Sequence, residues 1–373
     1  MKNNSQSEPK KKKKGSLAGR IIRRFFLLLF TTIFLLLIAL VLAANMIFTG
    51  PSEAARDLLT MTLLEPSATK WIPALFIGEE TVAQIKNGVN AGFTDSVSDT
   101  SQVVIQKNTA VSTGVDEWAD YPDGIRIEEY AGKTFNAHIM IVRDPSRVYM
   151  GLSTYEGFSR NIPGKRLNQA IEDEGASAAI NAGAFYDNGT SSPEVGSTPE
   201  GLVMSKGNTA WTAGSPPNAS GFAGFNTDDI LVVSQDNLSE SKAKELNIRD
   251  GCCFGPALII NGEINMGAYN SASGWNPRTA IGQRADGAVI FVCADGRQPG
   301  SMGATYADII DIMQEYGAVN ACNMDGGSSS VMMYRDTEGR YGDPGQVQMI
   351  NSYSLLQSEP RRMPNFWMVR PQE

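Results

Sequence analysis

Histidine is nearly absent from this chain: His138 is the only one in 373 residues. The four cysteines, Cys252, Cys253, Cys293 and Cys322, form no C-x-x-C pair. These two shortages argue against a zinc site, which draws on Cys and His at close spacing. There is no G-x-S-x-G, and His138 is the only base of the usual kind for a serine nucleophile, so a serine-hydrolase reading is poor. No repeat of 20–50 residues is visible, which excludes a solenoid. A basic excess is missing too. The net charge is −8, and it averages two opposite regions. Residues 1–24 hold nine Lys/Arg against one Glu, which leaves 23 basic and 39 acidic residues for the rest. An acidic body of net −16 is a poor nucleic-acid binder, which needs a basic face to release counterions.

What is present begins with a tail and an apolar run. Lys10 to Lys14 are consecutive lysines, followed by Arg20, Arg23 and Arg24. Residues 25–48 carry no charge. As a helix this stretch would rise about 36 Å, enough to span a hydrocarbon core with some tilt. Gly50 and Pro51 stop it. The basic flank precedes it, so residues 1–24 are expected in the cytoplasm and the body outside, on a single-pass signal anchor in the cell membrane. Cleavage after Leu42-Ala43-Ala44 is the rival reading, but the run exceeds the usual signal-peptide core of about 7–15 residues. Residues 49–105 are expected as a stalk or spacer, partly helical, and 106–373 as the body.

The body is rich in glycine, 37 in the whole chain, and reads as short strands with turns. Strands are expected at 125–130, 136–142, 148–152, 178–181, 201–205, 229–233, 257–261, 288–294, 318–323 and 329–334. Helices are expected at 167–174 and 306–316, the second capped by Thr305 with Asp308 and ended by Gly317. The class is α+β, a mixed sheet-rich core with few helices behind one N-terminal transmembrane helix. In a body that faces outward the cysteines could pair; buried small hydrophobes or one bridge is the plain reading.

Polar residues gather at the ends of apolar strands, beside glycines, where sheet proteins place sites. One cluster runs from Ala179 through Asn181 to Asp187. A second is Asn276-Pro277-Arg278-Thr279, whose Arg calls for a carboxylate or a phosphate. A third is Asp295-Gly296-Arg297. The fourth and most specific is Asp325-Gly326-Gly327-Ser328-Ser329-Ser330, where glycine amides and hydroxyls can meet an oxyanion. Taken singly, each has an ordinary structural reading: a turn, a salt bridge, or, for His138, a satisfied core histidine.

Together and in this order, the segments "INAGAFY", "GPALIINGE", "NPRTAIG", "DGR", "NMDGGSSSVMM" and "RRMPNFWMV" resemble the phosphodiester glycosidase family. That family includes the enzyme that uncovers mannose 6-phosphate tags and many bacterial proteins linked to exopolysaccharide biosynthesis. The resemblance runs from about His138 to Val369. Ala182 and Ser328 stand where many members carry Gly. It implies hydrolysis of a sugar-1-phosphodiester in a cell-surface or exported glycan. Asp325, Asp295, His138 and Asn181 are the implied catalytic group. Arg278, Thr279, Arg297, Gly326, Gly327, Ser328 and Ser329 are the implied substrate-binding group. No cofactor is certain, and a divalent cation near Asp325 is allowed. A non-catalytic glycan-binding or assembly factor among exopolysaccharide proteins is the alternative, as is a glycan phosphotransferase.

Overall fold

The computed structural model describes residues 17–64, 69–89, 93, 96–105, 117–186, 196–213, 221–271, 273–353 and 359–372. The Lys10–Lys14 run, Asp187 and the expected body start at 106 lie outside these residues. The fold is α+β, with three antiparallel sheets and, among the described residues, seven α-helices.

A seven-stranded sheet runs in the order Ile125–Ala131, Asn136–Val142, Val289–Ala294, Arg278–Arg284, Ala318–Met324, Ala257–Ile260, Glu263–Ile264. The second sheet orders Val347–Met349, Met332–Arg335, Ala178–Asn181, Asn365–Val369 and Val148–Leu152. The third orders Asn208–Thr212, Leu202–Ser205, Ile248–Cys253, Phe222–Asn226 and Leu231–Ser234. Two expected strands start more than one residue late. Asp229 adopts φ 62°, so that strand begins at Leu231. Gly327–Ser329 close a tight 3-10 turn, so the next strand begins at Met332.

Central strands are apolar on both faces because both faces are covered. Met140 and Val142 enter a core shared by all three sheets, with Met150, Ile180, Phe225, Phe291 and Trp367. Their alternates Ile139 and Ile141 pack the other way, against Ile309, Ile310 and Met313 of the helix Tyr306–Glu315. Period-two alternation thus serves two cores. That helix is capped as expected: Thr305 Oγ1 accepts from Asp308 N–H, and the Asp308 side chain returns the bond.

Three buried polar side chains tie the sheets in pairs. Gln283 Oε1 accepts from Leu231 N–H at 2.6 Å, joining the large and third sheets. Asp250 Oδ1 accepts from Met150 N–H at 3.1 Å, joining the third and second. Asn181 Oδ1 accepts from Thr279 Oγ1 at 2.8 Å, joining the second and large. Each offsets its own burial by pairing a backbone or hydroxyl group that would otherwise be left unpaired.

All four cysteines are buried free thiols, the small-hydrophobe reading. Burial pushes the Cys253 thiol up to about 11 from the usual 9.0. The unfolded chain therefore ionises first, so this group's contribution is full below 9.0 and is lost as pH rises towards 11. The native protein is expected to react with no thiol reagent at pH 8, and the denatured protein to titrate four thiols. A disulfide-exchange colour assay with and without denaturant checks this; rapid native labelling would refute it.

The N-terminal helix spans Leu17–Thr49 and contains the expected run 25–48. Over Gly19–Thr49 it is long and apolar enough to cross a membrane. The helices Glu53–Leu64 and Ile72–Gly88 pack on its end and on each other. Residues 96–105, in the stretch expected as spacer, are stitched to the body. Val97 pairs with Ser234, Val104 N–H donates to Ala285 O at 2.9 Å, and Ile105 packs over Gly287.

Candidate active site at one end of the large sheet

Antiparallel alternation brings five chain segments to one sheet end. Asn136, Arg278 and Ala257 begin their strands there, while Ala294 and Met324 end theirs. Asp295 and Asp325 follow those two strand ends directly. One residue further in, His138, Cys293, Thr279 and Met324 form a row across four strands. The second sheet contributes the end of Ala178–Asn181 to the same mouth.

Asp295 is only 3% exposed. Its N–H donates to Asn136 O at 2.8 Å, and its C=O accepts from Ser301 Oγ at 2.9 Å. Its Oδ2 lies 3.8 Å from His138 Nε2, and its Oδ1 is buried with no hydrogen-bond partner. A fixed backbone thus holds a carboxylate whose one oxygen is committed to nothing.

Asp325 is half-buried. Its N–H donates to Ala182 O at 3.0 Å, and its C=O accepts from Asn181 Nδ2 at 2.6 Å. Asn181 is wholly buried, and its Oδ1 also accepts from Val331 N–H at 3.1 Å. The amide of Asn181 therefore positions the Asp325 backbone and the following turn.

That turn is locked on Pro277. Gly327 N–H donates to Pro277 O at 2.8 Å, and a Cβ at Gly326 would lie 2.8 Å from the same oxygen. Gly327 adopts φ +61°, with the Arg297 guanidinium Nη1 3.2 Å from where its Cβ would be. Both glycines are thus required by close approach and, at Gly327, by backbone conformation. On the other side Arg361 Nη1 stands 3.4 Å from Ser328 Oγ and over the Phe185 ring at 4.7 Å. Tyr353 Oη donates to Ser328 O at 2.5 Å. Two guanidinia therefore flank the Gly327-Ser328 step. Arg297 also donates to Asn276 Oδ1 at 2.8 Å. Burial pushes the Tyr353 phenol up, which keeps it a protonated donor.

Arg278 also anchors the surrounding loops. It is buried, donates to the carbonyls of Ala304 (2.9 Å), Ser273 (2.6 Å) and Gly274 (3.3 Å), and lies over Tyr306. Its planar fork binds the loops that frame the site. Thr279 is spent on Asn181. Ser329 and Ser330 hydroxyls are buried and make no hydrogen bond, and the same holds for Asn276 Nδ2, Asn323 Oδ1 and Asn365 Nδ2. Residues outside the sequence-derived set are Arg361, Tyr353, Asn276 and Ser301. Arg361 in "RRMPNFWMV" and Asn276 in "NPRTAIG" carried the resemblance without a role.

Among the described residues no three His, Cys, Asp or Glu side chains gather as a metal-binding group.

The profile of the phosphodiester glycosidase family matches residues 174–370, just over half of the chain. The chain belongs to the phosphodiester glycosidase family. Its sheet arrangement is similar to that of the zebrafish N-acetylglucosamine-1-phosphodiester alpha-N-acetylglucosaminidase catalytic domain, auto-inhibited by its pro-peptide. The identity there is 20%, the TM-score 0.51, and the match covers 66% of this chain and 82% of that one, which establishes a shared fold. The SPbeta prophage-derived uncharacterized protein YomE of Bacillus subtilis is 41% identical over 96 residues. That match spans 25% of this chain and 14% of the relative's length. All the site segments named above, apart from the strand that holds Asn136 and His138, fall inside the phosphodiester glycosidase match.

Proposed function

We propose that this chain is a membrane-anchored glycosidase, its body outside the cytoplasm, that hydrolyses the C1–O bond of a sugar-1-phosphodiester in a cell-surface or exported glycan. The observation that carries the reading is one mouth where Asp295 and Asp325 follow the ends of the two strands flanking Arg278–Arg284 and two guanidinia flank a glycine turn. Family membership supplies the reaction class, and the basic flank before the apolar helix supplies the orientation.

The chemistry divides between the two ends of the scissile bond. Arg297 and Arg361 flank the turn where a phosphodiester would lie, and a planar fork meets its oxygens with charge-assisted bonds. As the C1–O bond breaks, positive charge develops on the sugar and negative charge on the departing phosphate. The carboxylate of Asp325 stabilises the first and the two guanidinia the second. Asp295, its backbone held by Asn136 and Ser301, accepts the proton of the water that attacks C1. The products are a free sugar and a phosphomonoester. A phosphate leaving group needs little protonation, so no strong acid is required.

The test is turnover of a sugar-1-phosphodiester panel by the full chain in detergent. A chain cut at 106 would lose the 96–105 stitching. Arg361→Ala is expected to lower kcat/KM about 10²-fold, with Arg361→Lys restoring only part because the fork is lost. An Arg361→Ala enzyme equal to wild type would remove Arg361 from the site. No turnover of any substrate by wild type would remove the hydrolytic reading.

A further inference from the structure

We propose that the substrate's second ester arm is a membrane lipid: the N-terminal helices form a foot in the bilayer surface and hold the site mouth over that same surface. This rests on the hydrolytic reading above and names its substrate class.

The foot is visible in the pattern of the helix Ile72–Gly88. Its first part, with Trp71 before it, reads Trp-Ile-Pro-Ala-Leu-Phe-Ile, without a charge. Trp71 is 58% exposed and Leu75 is 71% exposed. Four residues apart, they share one face of a helical turn. Gly78 then breaks the helix with φ 77°, and Glu79 and Glu80 follow, both exposed. An apolar half with Trp at its edge, kinked into an acidic half, suits a segment that lies in a headgroup layer and then leaves it.

Its place next to a bilayer follows from continuity with the apolar helix Leu17–Thr49. Phe48, at the end of that helix, is 2% exposed and stacks on Phe76 of the foot with ring centroids 4.8 Å apart. If the long helix crosses a membrane, Trp71 and Leu75 are held at its boundary.

The foot also touches the site. A Cβ at Gly274 would lie 2.9 Å from Thr62 Cα, so the helix Glu53–Leu64 abuts this loop. Met61 shares an apolar cluster with Ala280 and Ala304. Gly274 O and Ser273 O hold Arg278, and Asn276 holds Arg297. The helix Glu53–Leu64 is about 18 Å long, and the residues before it add about 10 Å at most. The site mouth therefore sits within about 30 Å of the end of the span. An acidic body repels soluble phosphodiesters at long range, whereas a lipid arm confines the substrate to the surface the site overlooks.

The test uses the full chain in phosphatidylcholine vesicles. With brominated acyl chains present, Trp71→Phe is expected to remove a quenchable part of the fluorescence; an unchanged quenching profile would overturn the foot. Two substrates follow, one sugar-1-phosphodiester with a long isoprenyl arm in the vesicles and one with a short water-soluble arm. Wild type is expected to turn over the vesicle-bound one about tenfold faster, and Trp71→Glu with Leu75→Glu to lose that advantage while soluble turnover stays level. Equal turnover of both by wild type would overturn the lipid arm and leave hydrolysis standing. No turnover of either would overturn hydrolysis, and the lipid arm with it.

Discussion

Asp295→Asn is expected to lower kcat about 10³-fold while leaving the protein as stable as wild type or slightly more so. The two halves of this expectation have one cause. The Asp295 backbone is held by Asn136 and Ser301, and that scaffold is unchanged by an isosteric side chain. The carboxylate itself is buried, with one oxygen unpaired and the other 3.8 Å from His138. A group in that setting costs folding free energy, because its charge leaves water for weak compensation. Asn removes the charge and keeps the shape. A residue kept for packing would show the opposite, with lost stability and retained turnover. Thermal unfolding and steady-state kinetics on the same preparation separate the cases.

Asn181→Ala is expected to cost about 3–5 kcal/mol of stability and to lower kcat more than it raises KM. Three groups lose their partner at once: Thr279 Oγ1, Val331 N–H and the Asp325 carbonyl. Thr279 Oγ1 and Val331 N–H are buried, and each orphan there costs about 1–3 kcal/mol. The kinetic effect is indirect. Asn181 is a positioning residue that fixes the Asp325 carbonyl, so its loss displaces a carboxylate that matters most when charge develops on the sugar. Denaturant unfolding checks the first part. A split of kcat against KM checks the second, and a large rise in KM alone would instead put Asn181 in direct contact with substrate.

The ten expected strands, the Thr305–Asp308 cap and the Asp325-Gly326-Gly327 turn were legible in the sequence because their causes are local, whereas Asn208–Thr212, Phe222–Asn226 and Ile248–Cys253 of the third sheet were not foreseen. Alternation, a capping hydroxyl and paired glycines act within a few residues. Convergence of Asp295 and Asp325 followed from antiparallel strand ends, once order and resemblance were combined. Partner choice was not legible. Arg278 precedes an apolar run and invites an anion, and nothing in the sequence signalled the carbonyls of residues 273, 274 and 304 that it also meets. Arg361 reaches Ser328 across 33 residues of sequence, a contact no spacing rule foretells. Asn181 stood at the right strand end, but whether its amide faces substrate or backbone depends on the second sheet meeting the first. The proposed foot was hidden for the same reason: residues 49–105 read only as a partly helical spacer until the Phe48–Phe76 stack placed Trp71 and Leu75 beside the long helix.

The central claim is that the mouth breaks the sugar's C1–O bond, with phosphate as leaving group. Hydrolysis of a sugar-1-phosphodiester in ¹⁸O-labelled water, followed by mass spectrometry of both products, reads the cleaved bond directly. The label is expected on the anomeric carbon of the released sugar, with an unlabelled phosphomonoester. Label in the phosphate would mean attack at phosphorus, and would contradict the roles given to Asp295 and Asp325.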